Sequence, residues 1–281
     1  MIPHKSFTFA KVWLLYAKFL VRSLDLAGAR KVLGTALGLA GKEKLFKGYI
    51  ELELQLREFD RVRTLYQKYL EWNPSNCYAW NKFAELEKML GDSDRARGLY
   101  EIAVAQPLLD MPEVIWKGFI DFEVSESEWA RARELYEKLL ERTGHVKVWI
   151  SLAEFELLAM DNGELAQRIE QSRSVYERAY KSLKEEGAKE ERDVLLDSLL
   201  QFEKNNGTEK EIAAIEERMP KSVKKRRRLM DENGEPAGWE EYFDYIFPDD
   251  EEEKPNLKLL EMAHQWKQKM AEMQAQKSTS D

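Results

Sequence analysis

The chain has one cysteine, Cys77, among 281 residues. A single thiol cannot close an internal disulfide. That excludes a small core stapled by disulfides and favours a reducing compartment. Histidine is nearly as scarce: His4, His145 and His264 lie far apart, at no metal-ligand spacing. Proline is limited to eight residues, and no hairpin dipeptide sits between alternating apolar runs, which argues against a sheet. No apolar run approaches the ~20 residues a spanning helix needs. Near the N-terminus, the apolar stretch between Lys5 and Lys11 is too short for a signal peptide. A phosphate loop is excluded around the early glycines, because Ala36 stands where Gly is required and Glu43 where a hydroxyl is required. No nucleophile–base constellation is present, so the sequence reads as non-enzymatic, with no cofactor, metal or small-molecule substrate.

What is present is apolar content and charge, 43% hydrophobic and 34% charged residues, enough for a continuous core in a soluble helical protein. The formal net charge of −8 argues against general nucleic-acid binding but leaves room for a local patch. The apolar residues repeat. Trp13-x-x-Tyr16-x-x-Phe19 returns as Phe46/Tyr49/Leu52, Trp80/Phe83/Leu86, Trp116/Phe119/Phe122 and Trp149/Leu152/Phe155, with a weaker copy at Leu196/Leu199/Phe202. The first positions step by about 33, 34, 36 and 33 residues, then about 47. Spacing of three makes one helical stripe. A second stripe follows each, marked by Arg30-x-x-Leu33, Arg63/Tyr66, Arg97/Tyr100, Arg133/Tyr136 and Arg173/Tyr176. One helix pair cannot bury two stripes, so pairs must stack on their neighbours. The predicted fold is an all-α, right-handed helical-repeat solenoid of antiparallel helix pairs. The repeated aromatics read as core.

A polar regularity accompanies the apolar one. Seven residues after the first triad position stand Glu53, Glu87, Glu123, Glu156 and Glu203, with Leu20 departing in the first repeat. Each of the first four precedes a second-helix arginine: Arg63, Arg97, Arg133 and Arg173. A carboxylate facing a guanidinium can form a bidentate pair. The expectation is that Glu53–Arg63, Glu87–Arg97, Glu123–Arg133 and Glu156–Arg173 staple the two helices within repeats two to five.

Residues 1–220 are expected to form the array. Pairs fall at about 10–40, 43–72, 76–105, 112–142 and 145–182, with a degenerate sixth pair at 190–219. Gly91 with Asp92 and Ser93, Pro112 as a first-turn residue, and Thr208 with Glu211 as a capping box mark helix ends. The first repeat begins without a polar cap. This suggests that the repeats continue upstream, or that another subunit covers that end.

After Pro220 the pattern changes. Residues 221–238 read as a basic linker, with Lys221, Lys224, Lys225, Arg226, Arg227 and Arg228 as candidates for nuclear import or RNA contact. Residues 239–281 read as an aromatic and acidic segment with a last helix over about 256–276. Trp239, Tyr242, Phe243, Tyr245 and Phe247 are too apolar for a solvated linker. They fold back as a lid or bind a partner. The acidic run from Asp249 to Glu253 is expected to face solvent.

Aromatic triads, a Glu and Arg-x-x-Tyr at this period resemble HAT repeats (half-a-TPR), which occur in RNA-processing proteins. The tetratricopeptide pattern, with its Gly and Ala positions, fits less well. The run Lys224-Lys225-Arg226-Arg227-Arg228, then Gly238-Trp239-Glu240-Glu241-Tyr242-Phe243-Asp244-Tyr245-Ile246-Phe247-Pro248, then Pro255-Asn256-Leu257-Lys258-Leu259-Leu260, resembles the C-terminal end of the crooked neck family of pre-mRNA splicing factors. The stretch from Phe46 to Arg61 and Pro107-Leu108-Leu109-Asp110-Met111-Pro112 are similar to that family too. The resemblance implies a nuclear, non-enzymatic scaffold of the nineteen-complex type that assembles other spliceosomal proteins. The alternatives are a module that touches RNA directly and a HAT scaffold of RNA 3′-end processing.

Overall fold

A computed structural model of the chain describes residues 8–160, 163–230 and 236–252, and the side chains of all of these except 227–230, 236–240 and 251–252. The expected helix at 256–276 lies outside the described residues. Two compact units divide the chain, Met1–Leu135 and Tyr136–Asp281.

The first unit is built from helices α1 (Ala10–Arg22), α2 (Leu26–Leu39), α3 (Glu43–Gln55), α4 (Phe59–Trp72), α5 (Cys77–Met89), α6 (Ser93–Val104) and α7 (Pro112–Ser125). It also holds the start of α8 (Trp129–Leu140). The second unit carries α9 (Val146–Leu158), α10 (Leu165–Glu186), α11 (Lys189–Asn206) and α12 (Glu209–Arg218). The fold class is the expected all-α helical repeat, and each expected pair range holds two helices.

The helices start and stop for local reasons. Asp25, Asn76 and Asp92 cap α2, α5 and α6, accepting from the N–H of Gly28, Ala79 and Arg95 at 2.8, 2.8 and 3.1 Å. Pro112 opens α7. The Thr208 N–H donates to Glu211 Oε2 at 2.6 Å at the start of α12.

The first helix of each of the first four pairs ends the same way. Leu24, Arg57, Gly91 and Ser127 take φ of 61°, 57°, 81° and 61°. The next N–H reaches back five residues: Asp25 to Leu20 O, Glu58 to Glu53 O, Asp92 to Glu87 O and Glu128 to Glu123 O, at 2.9–3.0 Å. This is the Schellman closure, which calls for a left-handed residue. Only the third pair supplies Gly there.

The aromatic stripes are buried as the period predicts. Trp13, Phe46, Trp80, Trp116 and Trp149 are each at most 7% exposed. Phe19 departs, at 54% exposed, where its counterparts Leu86, Phe122 and Phe155 are buried.

The chain also contains a sheet, against expectation. β1 (Lys221–Met230) and β2 (Pro236–Ile246) pair antiparallel, from Lys221 opposite Ile246 to Met230 opposite Pro236. The supposed basic linker and aromatic segment are therefore one hairpin. Two effects favour it. Tyr242, Phe243, Tyr245 and Ile246 are strand formers, and basic residues of β1 face acidic ones on β2. The short helix α13 (Pro248–Glu252) follows.

Leu24 is 91% exposed and holds a left-handed backbone. An L-residue there carries strain of about 1–2 kcal/mol, while glycine adds back roughly 0.4–1 kcal/mol of unfolded-chain entropy. Leu24→Gly is therefore expected to stabilise the fold by about 0.5–1 kcal/mol in urea denaturation. A destabilised variant would show that the side chain makes contacts that outweigh the strain.

Candidate docking surfaces

The repeated charges meet, but not as the sequence suggested. Arg30 Nε and Nη2 donate to the two carboxylate oxygens of Glu53 at 2.9 and 2.8 Å. Arg63 makes the same fork to Glu87 at 2.8 and 2.8 Å. Arg97 does so to Glu123 at 2.7 and 3.0 Å, and Arg173 to Glu203 at 2.7 and 2.7 Å. Each of these four arginines, on the second helix of one repeat, therefore binds the first helix of the next repeat. The expected pairing within repeats (Glu53–Arg63, Glu87–Arg97, Glu123–Arg133, Glu156–Arg173) is corrected, because Glu53, Glu87 and Glu123 and the guanidinium of Arg173 are engaged elsewhere.

The reason lies in the Arg-x-x-Tyr spacing. One turn from Arg63, Tyr66 stacks on Phe83 at 5.1 Å and 9°, and Phe83 is one turn before Glu87. One turn from Arg97, Tyr100 stacks on Phe119 at 5.2 Å and 10°, one turn before Glu123. A ring and a guanidinium on one helix thus engage a ring and a carboxylate on the next. Glu53 and Glu87 are fully buried, and Glu123 is 1% exposed. Each guanidinium supplies a two-pronged partner, which removes the cost of a lone buried carboxylate. The hydrogen bond to its glutamate raises the pKa of Arg63 and of Arg173, against the effect of burial.

A second charged cluster was missed in the sequence. Arg192, on α11, is 2% exposed. Its Nη1 donates to Asp250 Oδ2 at 2.9 Å and its Nη2 to Tyr180 Oη at 2.8 Å. Its guanidinium lies 3.8 Å from the ring centre of Phe247 and 4.8 Å from that of Tyr180. Tyr180 donates in turn to Asp249 Oδ2 at 2.9 Å, where Lys184 also donates, at 3.1 Å. The acidic run expected to face solvent therefore begins as a partner of a buried arginine. The segment folds back at this point. The sequence signal is a lone Arg in the charged stretch 181–192 ahead of the sixth triad.

The candidate partner-binding aromatics separate. Phe247 is fully buried and is corrected to a core residue of the fold-back. Tyr245 is half-buried beside Asp193 of α11. Tyr242 and Phe243 are 37% and 62% exposed. The side chain of Trp239 lies outside the described residues.

Among the basic candidates, Lys221, Lys224, Lys225 and Arg226 are exposed on β1, and the side chains of Arg227 and Arg228 lie outside the described residues. Lys224 and Arg226 both pair with Glu241, and Lys225 with Asp244 at 2.5 Å. Lys189 of α11 reaches Asp244 at 2.8 Å and ties the hairpin to the helix.

The N-cap of α1, Phe9, and its apolar side chains Val12, Leu15 and Phe19 are 68%, 43%, 54% and 54% exposed. Among the described residues no group of three or more His, Cys, Asp or Glu side chains could hold a metal ion. No helix among them is long and apolar enough to cross a membrane.

Arg97→Ala is expected to lose about 3–5 kcal/mol of stability, because it leaves Glu123 buried and unpaired. Adding Glu123→Leu to Arg97→Met should restore most of it. Chemical denaturation of the set checks this, and an Arg97→Ala loss under ~1 kcal/mol would mean that water satisfies the carboxylate. The amine of Lys189, then that of Lys225, holds the Asp244 carboxyl down at about 2. The tie is thus present above the ordinary carboxyl range and lost only as pH falls through about 2. An Asp244 titration midpoint near 4, followed by NMR, would contradict the contact.

A tetratricopeptide repeat model matches residues 65–98, which run from within α4 to within α6, so the repeat is TPR-like despite the weaker fit of its Gly and Ala positions. The C-terminal part of a TPR repeat-containing protein from Cytophaga hutchinsonii aligns with a TM-score of 0.44 and 14% identity, over 75% of this chain and 82% of that one. Crooked neck-like protein 1 of Mus musculus is 54% identical over all of this chain and 40% of its own length. Protein crooked neck of Drosophila melanogaster is 53% identical over 95% of this chain and 38% of its own. Pre-mRNA-splicing factor CLF1 of Paracoccidioides brasiliensis is 51% identical over 96% and 41%. The chain spans about two fifths of the length of these relatives. Along its full length, the chain is similar to a portion of the crooked neck and CLF1 pre-mRNA-splicing factors.

Proposed function

We propose that this chain is a non-enzymatic scaffold segment of the spliceosome, of the nineteen-complex type, corresponding to the C-terminal portion of a crooked neck protein and acting in the nucleus. The observation that carries the reading is the series of inter-repeat clasps. Stacked helices joined by forked ion pairs and stacked rings hold their outer faces at set separations, which is what an assembly platform needs. Absence of catalysis fits the same feature, since the most deeply buried carboxylates are already committed to guanidinium groups.

Two surfaces suit docking. The exposed apolar row of α1 includes Phe19, the counterpart of Phe122, whose ring lies 5.7 Å from that of Tyr100 on the preceding second helix, so a helix of that kind fits it. The hairpin, tied at its base to α11, offers Tyr242 and Phe243 as an exposed recognition arm. Direct RNA contact is the second reading, favoured by the exposed basic residues of β1.

Affinity purification from nuclear extract, with RNase treatment, tests the scaffold reading. Identified splicing proteins are expected to be recovered whether or not RNA is digested, and to be depleted by Leu15→Glu with Phe19→Glu. Recovery that vanishes with RNase would overturn it.

A further inference from the structure

We propose that one face of the β1–β2 hairpin is a contact site for single-stranded RNA, with Lys224 and Arg226 on phosphates and Phe243 as a stacking platform. The inference deepens the recognition-arm reading above by naming its ligand, and the scaffold reading stands without it.

The register places these groups together. Side chains alternate along a strand, and residues directly opposite share a face. Lys224 lies opposite Phe243, and Arg226 opposite Glu241. The four therefore form two adjacent rows on one face. The side chains of Lys224 and Arg226 are 59% and 71% exposed, and Phe243 is 62% exposed.

The neighbours of Phe243 decide what it suits. A ring that docks on another protein sits in an apolar patch from which lysine is depleted. Phe243 instead has a lysine across from it and an arginine diagonally across, and neither row beside it is wholly apolar among the described residues. An exposed ring flanked by cations is the arrangement used for single strands, in which bases stack on the ring and phosphates follow the charge.

Among the described side chains of this face, Glu241 is the one group that opposes an anion. It pairs with both Lys224 and Arg226. Exposed ion pairs are weak, so a phosphate can take its place at little cost. Several other acidic groups near the arm are already matched. Asp244 is engaged by Lys189 and Lys225, and Asp249 and Asp250 by Lys184 and Arg192. Asp193, Glu190 and Asp197 of α11, by contrast, stand near Tyr245 and leave negative charge at the base of the hairpin, away from Arg226. The chain as a whole carries −8, so attraction must be local and strongly dependent on salt.

Anchoring supplies what a loose basic tail lacks. Phe247 and Asp250 on Arg192 fix the base of the hairpin, and Lys189 holds Asp244. The ring and cations are thereby set in place before a ligand arrives, which lowers the ordering cost of binding.

The test is fluorescence anisotropy of the full chain with a labelled single-stranded oligouridylate of about 12 nucleotides, within the range of known single-strand sites. Measurements at several salt concentrations give the slope of log affinity against log salt. Lys224→Gln with Arg226→Gln is expected to reduce that slope by about 1.4, at roughly 0.7 for each single-strand phosphate that the protein no longer neutralises. Phe243→Ala is expected to weaken binding about tenfold with the slope unchanged, and Phe243→Trp to retain it. The proposal is overturned if the oligonucleotide does not bind at about 50 mM salt, where such interactions are strong, or if neither variant changes binding. It is also overturned if Phe243→Ala leaves RNA binding intact but abolishes RNase-resistant capture of an identified splicing protein, which would make the face a protein-docking site. Because the three side chains are exposed, unchanged thermal melts will separate impaired binding from impaired folding.

Discussion

A forked ion pair between the second helix of one repeat and the first helix of the next sets the register of the array. Apolar stripes alone do not fix which turn of one helix meets which turn of its neighbour, since a stripe can slide by a turn and still be buried. The Arg–Glu fork does not tolerate sliding, because a buried carboxylate displaced from its guanidinium keeps the full cost of burial. The tyrosine one turn away adds a second point of registry through Tyr66–Phe83 and Tyr100–Phe119. The glutamate is used twice. Its side chain takes the arginine of the preceding repeat, and its backbone carbonyl accepts the Schellman bond that ends its own helix. Helix termination and repeat stacking are thus tied to one residue in the second, third and fourth repeats, Glu53, Glu87 and Glu123.

The second unit repeats this logic once, through Arg173 and Glu203, and then departs from it. Arg192 lies inside α11, four residues before the triad, where the third pair has the helix-capping residue Asn76. That arginine gathers Tyr180, Phe247, Asp249 and Asp250 around one guanidinium. The last strand is thereby carried back to the helices, and the hairpin becomes an arm with a fixed base instead of a trailing segment. The buried phenylalanine and the exposed one, four residues apart, have separate tasks: Phe247 anchors and Phe243 presents.

Much of the fold was legible in the sequence because its signal repeats. Five copies of a triad with period three inside a period near 34 leave little ambiguity about paired helices, and Gly91-Asp92, Pro112 and Thr208 to Glu211 marked helix ends through local chemistry. The partner of each glutamate was not legible. Glu87 precedes Arg97 by ten residues and follows Arg63 by 24, and sequence distance favours the wrong neighbour, whereas stacking favours the right one. The hairpin was hidden for a different reason. Its described strand residues are mostly exposed, so neither strand shows the alternation of apolar and polar residues that a half-buried strand displays, and Lys224 to Arg226 read as a charge run. Phe247 could not be told from Phe243 by composition, since only the buried Arg192 distinguishes them.

The central claim is that the clasps join repeats rather than close them. Hydrogen exchange read by mass spectrometry on Arg63→Ala tests it most directly. If Arg63 holds α4 to α5, faster exchange will concentrate in α4 and α5, on both sides of the junction, with α3 little changed. Loss of protection confined to α3 and α4 would place the staple inside the repeat and contradict the account.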